Sequence, residues 1–195
     1  MSIEEICKKY RIKNYTINDD GSIDVDGYVN INGFDLDELP LTFNKVTGNF
    51  DCSRNSLTSL EGSPKWVGGI FNCRNNKLTS LEGSPKSVGG GFDCDGNKLT
   101  DLKGAPRKIG GHFNCSNNYL TTLEGSPKSI GGNFYCRNNP IESMFNDADI
   151  DFIRAFNTFK AIKDGVVNLK RLKYITEMFD LPIDIEKIEE YYTIK

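Results

Sequence analysis

The chain has 195 residues but a single histidine, His112, and a single tryptophan. One imidazole argues against His-rich zinc sites and against Ser-His or Cys-His catalytic pairs. No apolar run approaches the roughly 18 residues of a membrane-spanning helix, and the acidic, amphipathic N-terminus differs from a signal peptide. Positive charge is not in excess, because 24 basic and 27 acidic side chains give a net charge of −3. These absences predict a cytoplasmic, soluble protein for which neither a membrane nor a nucleic acid is the expected partner.

What the sequence does contain is a repeat of 21 residues, marked by five of its six cysteines. Each of these cysteines follows a phenylalanine by two positions and precedes an asparagine by three, and aliphatic, glycine and proline positions recur in the same phase. The repeat cysteines are Cys52, Cys73, Cys94, Cys115 and Cys136. We call each repeat unit a rung. Counting back 21 residues from the core positions gives a degenerate first rung, with the aliphatic residues Val29, Ile31, Leu36, Leu39 and Val46. The sequence therefore predicts six stacked rungs.

The spacing inside one unit predicts how the chain runs. In Gly-x-Phe-x-Cys the apolar residues alternate with period two, so Phe and Cys should point inward from a short strand. The asparagine follows where the chain leaves the strand, and we expect it to bond to backbone groups of the turns above and below. Gly-x-Pro then prevents a helix and turns the chain back. Because one unit cannot bury its own apolar face, neighbours must stack, and six parallel strands make a solenoid roughly 29 Å long.

The unit that begins at Val88 resembles a leucine-rich repeat. Its sequence to Leu102, VGGGFDCDGNKLTDL, follows the pattern L-x-x-L-x-L-x-x-N-x-L-x-x-L with one extra residue in the glycine segment and with Phe92 and Cys94 replacing two leucines. The repeat motif NxLTSLEGSPKxVGG is similar to that of small leucine-rich-repeat proteins encoded by bacteriophages and some bacteria. The resemblance covers about residues 25–145. It implies a short solenoid that binds a protein.

The repeat boundaries divide the chain into an N-terminal cap over residues 1–24, a solenoid over 25–145 and a C-terminal cap over 146–195. In the N-terminal cap, Ser2-x-x-Glu5 has the pattern of a capping box and predicts a helix over residues 3–10. A hairpin around Asp20-Gly21 is expected to follow it. The predicted fold is a short, leucine-rich-repeat-like parallel β-solenoid of about six rungs with a small α/β cap before it and an α-helical cap after it.

The C-terminal cap carries apolar residues at helical spacing in three segments. A first helix is expected over 147–162 and ends before Asp164-Gly165. A second contains Leu169–Phe179, and a third, shorter one contains Ile185–Tyr192. These helices either cover the end of the solenoid or offer a face to a partner, and the sequence leaves both open.

The cysteine ladder admits metal binding, disulfides and simple packing. Each rung supplies one thiol and the chain has no C-x-x-C pair, which disfavours a metal. Disulfides would consume sulfurs that pack as small hydrophobic groups, and a cytoplasmic protein is a poor candidate for oxidation. We expect packing, with no metal and no other cofactor, and leave the state of Cys7 open.

The solvent-facing positions around Phe and Cys are expected to form the inner, concave surface, the usual binding face of a solenoid. They vary from rung to rung while the core positions do not, which suggests a surface that packing does not constrain. Aromatic and arginine side chains are enriched at hot spots, and an ordinary solvated face is the alternative. The candidate partner-binding residues are Ile70, Asn72, Arg74, Asp93, Asp95, His112, Asn114, Tyr135 and Arg137.

A basic residue follows the proline of each full repeat. These residues are Lys65, Lys86, Arg107 and Lys128. Glutamates of the same turns run near them, so we interpret the stripe as a solvated edge with paired charges. Contact with a phosphate backbone would need more charge than this.

Together the patterns favour a non-enzymatic protein-binding module. The phage resemblance makes a host bacterial protein the expected partner, bound during host takeover or evasion of an antiviral defence. The alternative is a structural protein, either a virion component or a self-assembling homo-oligomer. No catalytic residue is predicted, because carboxylates such as Asp93 and Asp95 share a strand face without a pocket that would shift their pKa.

Overall fold

The computed structural model describes residues 1–141, 162–163, 166–178 and 193–194. The first element is helix α1, Ile3–Lys9. Its capping box forms as predicted: the backbone N–H of Glu5 donates to Ser2 Oγ at 3.3 Å, and the backbone N–H of Ser2 donates to Glu5 Oε2 at 2.8 Å. The helix buries Cys7, which is 1% exposed.

The predicted hairpin is also confirmed. Strands β1 (Tyr15–Ile17) and β2 (Ile23–Val25) pair antiparallel. In the turn between them Gly21 has φ 77°, a left-handed conformation that glycine adopts without strain. Asp20 Oδ1 accepts a hydrogen bond from the backbone N–H of Ser22 at 3.0 Å. Strand β2 then begins the first sheet of the solenoid, so the cap and the repeats share one sheet.

Each repeat contributes two short strands, which form two parallel sheets along the solenoid. We call the sheets the Phe–Cys sheet and the Val sheet. The Phe–Cys sheet contains β3 (Val29–Asn30), β5 (Phe50–Asp51), β7 (Phe71–Asn72), β9 (Phe92–Asp93), β11 (Phe113–Asn114) and β13 (Phe134–Tyr135). The Val sheet contains β1, β2, β4 (Phe43–Val46), β6 (Trp66–Val67), β8 (Ser87–Val88), β10 (Lys108–Ile109) and β12 (Ser129–Ile130).

The strands of the Phe–Cys sheet confirm the six rungs. Its order is β3-β5-β7-β9-β11-β13, and each residue pairs with the residue 21 positions later, as Phe71 does with Phe92. The degenerate first rung is real, because Val29 and Ile31 are at most 1% exposed. The Val sheet was not predicted. Its strands are mostly two residues long, too short to carry a readable alternation.

The core lies between the two sheets and consists of the repeated columns. Phe50, Phe71, Phe92 and Phe113 are at most 1% exposed, as are the first four repeat cysteines. The rings of Phe50, Phe71 and Phe92 stack, with centroids 5.4 and 5.2 Å apart, whereas the ring of Phe113 is tilted by 58° to that of Phe92. The thiols pack as predicted and also donate hydrogen bonds to the next rung, for example Cys94 Sγ to the Asn114 carbonyl at 3.3 Å.

The repeat asparagines form the predicted ladder, with one correction to its direction. Asn97 donates from Nδ2 to the carbonyls of Cys73 and Cys94 at 3.1 and 3.0 Å, and its Oδ1 accepts from the backbone N–H of Leu78 at 3.0 Å. Each amide thus bonds to its own rung and the preceding rung, and not to turns on both sides. The backbone geometry decides this, because the free groups within reach belong to the preceding turn.

The described part of the C-terminal cap contains one helix and a small sheet. Helix α2 spans Leu169–Met178 and confirms the second predicted helix. Strands β14 (Ile162–Lys163), β15 (Val166–Val167) and β16 (Thr193–Ile194) form a three-stranded sheet. The expected helix over 147–162 is wrong at its last residue, because Ile162 pairs antiparallel with Val167. Residues 147–161 and the third expected helix lie outside the described residues.

Helix α2 joins the solenoid core through its apolar side. Leu172 and Ile175 belong to the same buried cluster as the repeat columns. At the N-terminus of the helix, Asn168 Oδ1 accepts from the backbone N–H of Arg171 at 3.0 Å. Neither α1 nor α2 is long and apolar enough to cross a membrane, and no other helix in the described part of the chain is either.

Candidate functional site

The nine candidate residues lie together on the side of the Phe–Cys sheet that faces away from the core, which we call its outer side and which is the face expected from the sequence to be the concave surface of the solenoid. Because β7, β9, β11 and β13 pair in register, equivalent residues stack into three columns: one before Phe, one between Phe and Cys, and one after Cys. Parallel strands place neighbours in a column about 4.8 Å apart. Ile70 is 46% exposed and His112 and Arg137 are exposed, while the other six candidates are half-buried.

The middle column has a structural role that the sequence analysis missed. In the first five rungs its residue is Asn or Asp, and the side-chain oxygen accepts a hydrogen bond from the backbone N–H two residues later, at 2.9–3.2 Å. The five residues are Asn30, Asp51, Asn72, Asp93 and Asn114. This bond holds the chain as it leaves the strand, so hydrogen bonding to the backbone constrains this column, which the sequence analysis did not predict. The sequence carried a signal for this role, because Asn and Asp, the residue types of these five rungs, are those whose side chains form such a turn.

The residue after this turn is left-handed in every rung. Gly33, Arg54, Asn75, Gly96, Asn117 and Asn138 have φ between 52° and 66°. Asn and Gly, which occupy five of these six positions, tolerate this conformation. In the first five rungs, including that of Arg54, the turn bond comes just before it. Asn and Asp side chains also bond from rung to rung at this edge, as Asn117 Nδ2 does to Asp95 Oδ1 at 2.6 Å. Asp95 is therefore engaged within the fold.

Asp93 lies in the most strongly charged part of the face. Burial raises the pKa of its carboxyl, and the neighbouring charges of Asp95 and Asp51 raise it further. The backbone N–H of Asp95 and the nearby Arg74 guanidinium oppose this shift. The net direction is upward, so Asp93 gains a proton more readily than an exposed carboxylate as the pH falls.

The sixth rung departs from the pattern at Tyr135. A tyrosine cannot form the turn bond of the middle column, and the backbone N–H of Arg137 instead donates to Ser116 Oγ at 3.2 Å. The Tyr135 hydroxyl accepts from Asn133 Nδ2 at 2.8 Å, and its ring centroid lies 5.8 Å from that of His112. Tyr135 is thus released from the structural role that its column has elsewhere.

His112 is oriented by the backbone of the next rung. Its Nδ1 accepts a hydrogen bond from the backbone N–H of Asn133 at 2.8 Å. The neutral imidazole that accepts at Nδ1 carries its proton on Nε2, so the ring keeps one donor for another molecule. His112, Asn133 and Tyr135 therefore form a connected polar and aromatic cluster, which we call the His112 cluster.

A notch lies beside this cluster in the column before Phe. The column reads Ile70, Gly91, His112, and Gly91 has no side chain. Two rung spacings separate Ile70 from His112, so a gap of about 10 Å between their backbones has only glycine at its floor. The gap has an apolar wall on one side and an imidazole on the other.

Tyr28 is a surface residue of the same column that sequence reasoning missed. It is 72% exposed and precedes Val29 in the first rung, where Ile70 precedes Phe71 in the third. Counting back 21 residues from Asn49 would have found it.

The remaining reactive groups of the repeats are buried. All six cysteines are free thiols, and burial raises the pKa of Cys73, Cys94 and Cys115 well above the ordinary thiol range. A protonated, inaccessible thiol is neither a nucleophile nor a metal ligand. Within residues 1–141 and the described C-terminal segments, no three His, Cys, Asp or Glu side chains are grouped so that they could hold a metal ion.

Comparison of the chain with models of known protein families, with curated proteins and with solved structures gives no match.

Proposed function

We propose that this protein is a non-enzymatic module that binds another protein through the outer side of the Phe–Cys sheet. The observation that carries the proposal is the change at Tyr135. Five rungs use this position for a turn bond, and the sixth replaces it with an aromatic side chain beside His112. Because tyrosine is enriched at binding hot spots, the replacement of a turn-forming residue by tyrosine supports a binding role for this position.

The notch beside Gly91 supports the same proposal. Protein interfaces place one large anchor in a pocket and surround it with polar contacts. Here Ile70 supplies apolar contact, and the His112 cluster supplies donors and acceptors next to it. We infer that a partner inserts an apolar or aromatic side chain between Ile70 and His112 and packs its neighbouring backbone against Tyr135.

The resemblance to phage repeat proteins makes a host bacterial protein the partner that we propose. The six free thiols agree with a reducing compartment such as the host cytoplasm. Host takeover or evasion of an antiviral defence is the role in which such a protein would act.

The proposal predicts that substitutions on this face weaken binding of the partner and that substitutions elsewhere do not. Tagged protein is used to isolate a stoichiometric partner from bacterial lysate, and the purified pair is measured by calorimetry. Combined Tyr135→Ala and Arg137→Ala substitution should weaken binding at least about 30-fold, as expected for the loss of about 2 kcal/mol at a hot spot. Circular dichroism should be unchanged.

The matched control is Tyr119→Ala with Lys98→Ala, which removes one aromatic and one cationic side chain from exposed positions at the turn after the asparagine. It should leave the affinity unchanged. Equal losses in both double variants would argue against the Phe–Cys sheet as the binding face. A discrete homo-oligomer by light scattering, with no captured partner, would instead favour the structural alternative.

A further inference from the structure

The notch beside Gly91 leaves one backbone donor without an acceptor. Elsewhere in the column before Phe, side chains accept a hydrogen bond from the backbone of the next rung: Ile70 N–H donates to Asn49 Oδ1, and Asn133 N–H donates to His112 Nδ1, both at 2.8 Å. One rung before His112 the column has Gly91, which offers no acceptor atom. In the part of the chain that the structure describes, the N–H of His112 therefore has no hydrogen-bond partner.

Asp93, two residues after Gly91, has a carboxylate oxygen that also lacks a partner. The other two carboxylates of this face each accept from a side-chain amide, Asp95 from Asn117 Nδ2 at 2.6 Å and Asp51 from an amide of the next rung at 3.3 Å. Asp93 accepts a single hydrogen bond among the described residues, from the backbone N–H of Asp95 to its Oδ1 at 3.0 Å. Its Oδ2 has no donor, although the side chain is half-buried.

The charges around Asp93 favour an incoming cation. Burial raises the pKa of its carboxyl most, and the carboxylates of Asp95 and Asp51 raise it further. Arg74 opposes this rise in part, but it forms no ion pair with Asp93, since every ion pair between described residues contains Lys103. A cation supplied by a partner would relieve repulsion that the fold itself leaves in place.

The notch and Asp93 are spaced to receive alternate residues of an extended peptide. Gly91 and Asp93 are two residues apart on the outer side of the fourth rung, at the start of strand β9, which places them about 6.8 Å apart. Alternate side chains of an extended peptide have the same spacing. A peptide lying along the fourth rung therefore puts one side chain in the notch and the side chain two positions away over Asp93.

We propose that the outer side of the Phe–Cys sheet binds an extended, basic segment of its protein partner. An apolar residue of the segment fills the notch against Ile70, and its main-chain carbonyl accepts from the N–H of His112. A lysine or arginine two residues away pairs with Asp93. The inference rests on the proposed function, since it names the part of the partner that this face recognises.

The first measurement is a selection of random twelve-residue linear peptides, displayed on yeast cells, for binding to the intact protein. Enriched peptides should share an apolar residue with a lysine or arginine two positions before or after it. The most enriched peptide is then synthesised with a fluorescent label, and its affinity is measured by anisotropy. Raising the salt concentration should weaken binding, because one contact is between charges.

Asp93→Asn tests the contact with the cation. Asparagine occupies the same position in the neighbouring rungs and forms the same turn bond, as Asn72 and Asn114 show, so the variant removes the charge and keeps the backbone. It should weaken binding of the peptide about fivefold. The matched control is Asp51→Asn, which makes the same change of net charge in the same column two rungs away and should change the affinity less than twofold.

A double-mutant cycle links the peptide cation to this carboxylate. Replacing the lysine or arginine of the peptide by alanine should weaken its binding to the unmodified protein about fivefold. The same replacement should have little effect on binding to the Asp93→Asn variant, because the partner charge is already absent there.

Gly91→Asn fills the notch from within. The backbone of Gly91 is not left-handed, and asparagine at position 49 shows that an amide oxygen in this column accepts from the next rung. The variant should satisfy the N–H of His112 and unfold at nearly the same temperature as the unmodified protein. It should weaken binding of the peptide at least about tenfold, because the anchor side chain and the carbonyl lose their places.

Several results would overturn the inference. Enriched peptides that are acidic, or a selection that enriches none, would exclude a basic linear segment. Equal losses for Asp93→Asn and Asp51→Asn would show a response to net charge alone, and unchanged binding by Gly91→Asn would exclude the notch. Self-association that Gly91→Asn abolishes, seen by light scattering, would assign the notch to a second copy of the chain.

These outcomes are separate from the test of the proposed function. If the inference fails, the effect of combined Tyr135→Ala and Arg137→Ala substitution on the captured partner still decides whether this face binds a protein. If that double variant binds the captured partner normally, the proposed function fails whatever peptides are enriched.

Discussion

Asn97→Ala is the substitution that most directly tests how the rungs are held together. The side chain is 6% exposed and makes three well-formed hydrogen bonds with backbone of two rungs. The two carbonyls that accept from it have second donors: Asn76 Nδ2 reaches the Cys73 carbonyl at 3.0 Å, and Asn118 Nδ2 reaches the Cys94 carbonyl at 3.1 Å. The N–H of Leu78 has no second partner among the described residues.

The expected loss of stability follows from this difference: the two carbonyls keep a donor in the variant, and the N–H of Leu78 loses its acceptor. An orphaned buried N–H costs about 1–3 kcal/mol, and each weakened carbonyl bond adds about 0.5 kcal/mol. We expect the free energy of unfolding to fall by about 3 kcal/mol, measured by urea denaturation with circular dichroism at 25 °C. The control is Asn44→Ala, which removes one half-buried hydrogen bond to the Asp24 carboxylate. Asp24 keeps Asn18 Nδ2 as a second donor, so the loss should be about 1.5 kcal/mol or less.

A loss below 1 kcal/mol for Asn97→Ala, or a loss equal to that of Asn44→Ala, would refute the reasoning. Asn97→Asp sharpens the test. It keeps an oxygen for the N–H of Leu78 but sets a second oxygen against two carbonyls. It should destabilise the fold at least as much as alanine, because the second oxygen of the buried charge faces two carbonyl oxygens and has no donor.

Two further predictions concern the backbone and the thiols. A Cβ on Gly110 would collide with the Gly89 carbonyl oxygen, whereas one on Gly91 would lie 3.1 Å from the His112 carbonyl oxygen. Gly110→Ala should therefore lower the free energy of unfolding by at least about 2 kcal/mol, and Gly91→Ala should lower it clearly less. Equal thermal midpoints for the two variants would contradict this expectation. Burial raises the pKa of the Cys73, Cys94 and Cys115 thiols, so the folded chain keeps thiol protons that the unfolded chain loses near pH 8.5. The free energy of unfolding should be constant below about pH 8 and fall above it, with a slope approaching about 1.4 kcal/mol per pH unit for each buried thiol. A urea midpoint that is the same at pH 7 and pH 9.5 would disprove this.

The repeat made the core predictable. Phe92 and Cys94 recur with the same spacing as their equivalents in other rungs, and period-two alternation places both on one side of a strand. The capping box of Ser2 and Glu5 was predictable because its bonds are local. The Val sheet was not, since Trp66–Val67 and its equivalents are too short for alternation to be seen.

The candidate face was predicted in position and only partly in role. Its nine residues lie where the phase of the repeat puts them. That Asn72 and Asp93 serve the backbone could not be separated from an ordinary polar surface without their turn bonds. The contact of Tyr135 with His112 needs the strand register as well as the sequence.

The sequence by itself determined the number of rungs and the side chains that fill the core, because a 21-residue period with one apolar pattern has a single way to bury that pattern. Only the tertiary structure decided which rung each asparagine amide serves and which exposed residues become neighbours. Those contacts join residues about 21 positions apart, and the direction of the hydrogen bonds between parallel strands sets them. Lys86 and Arg107 are a clear case: they lie 21 positions apart in the sequence and become neighbours when the rungs stack, because the backbone N–H of Arg107 donates to the Lys86 carbonyl at 3.1 Å.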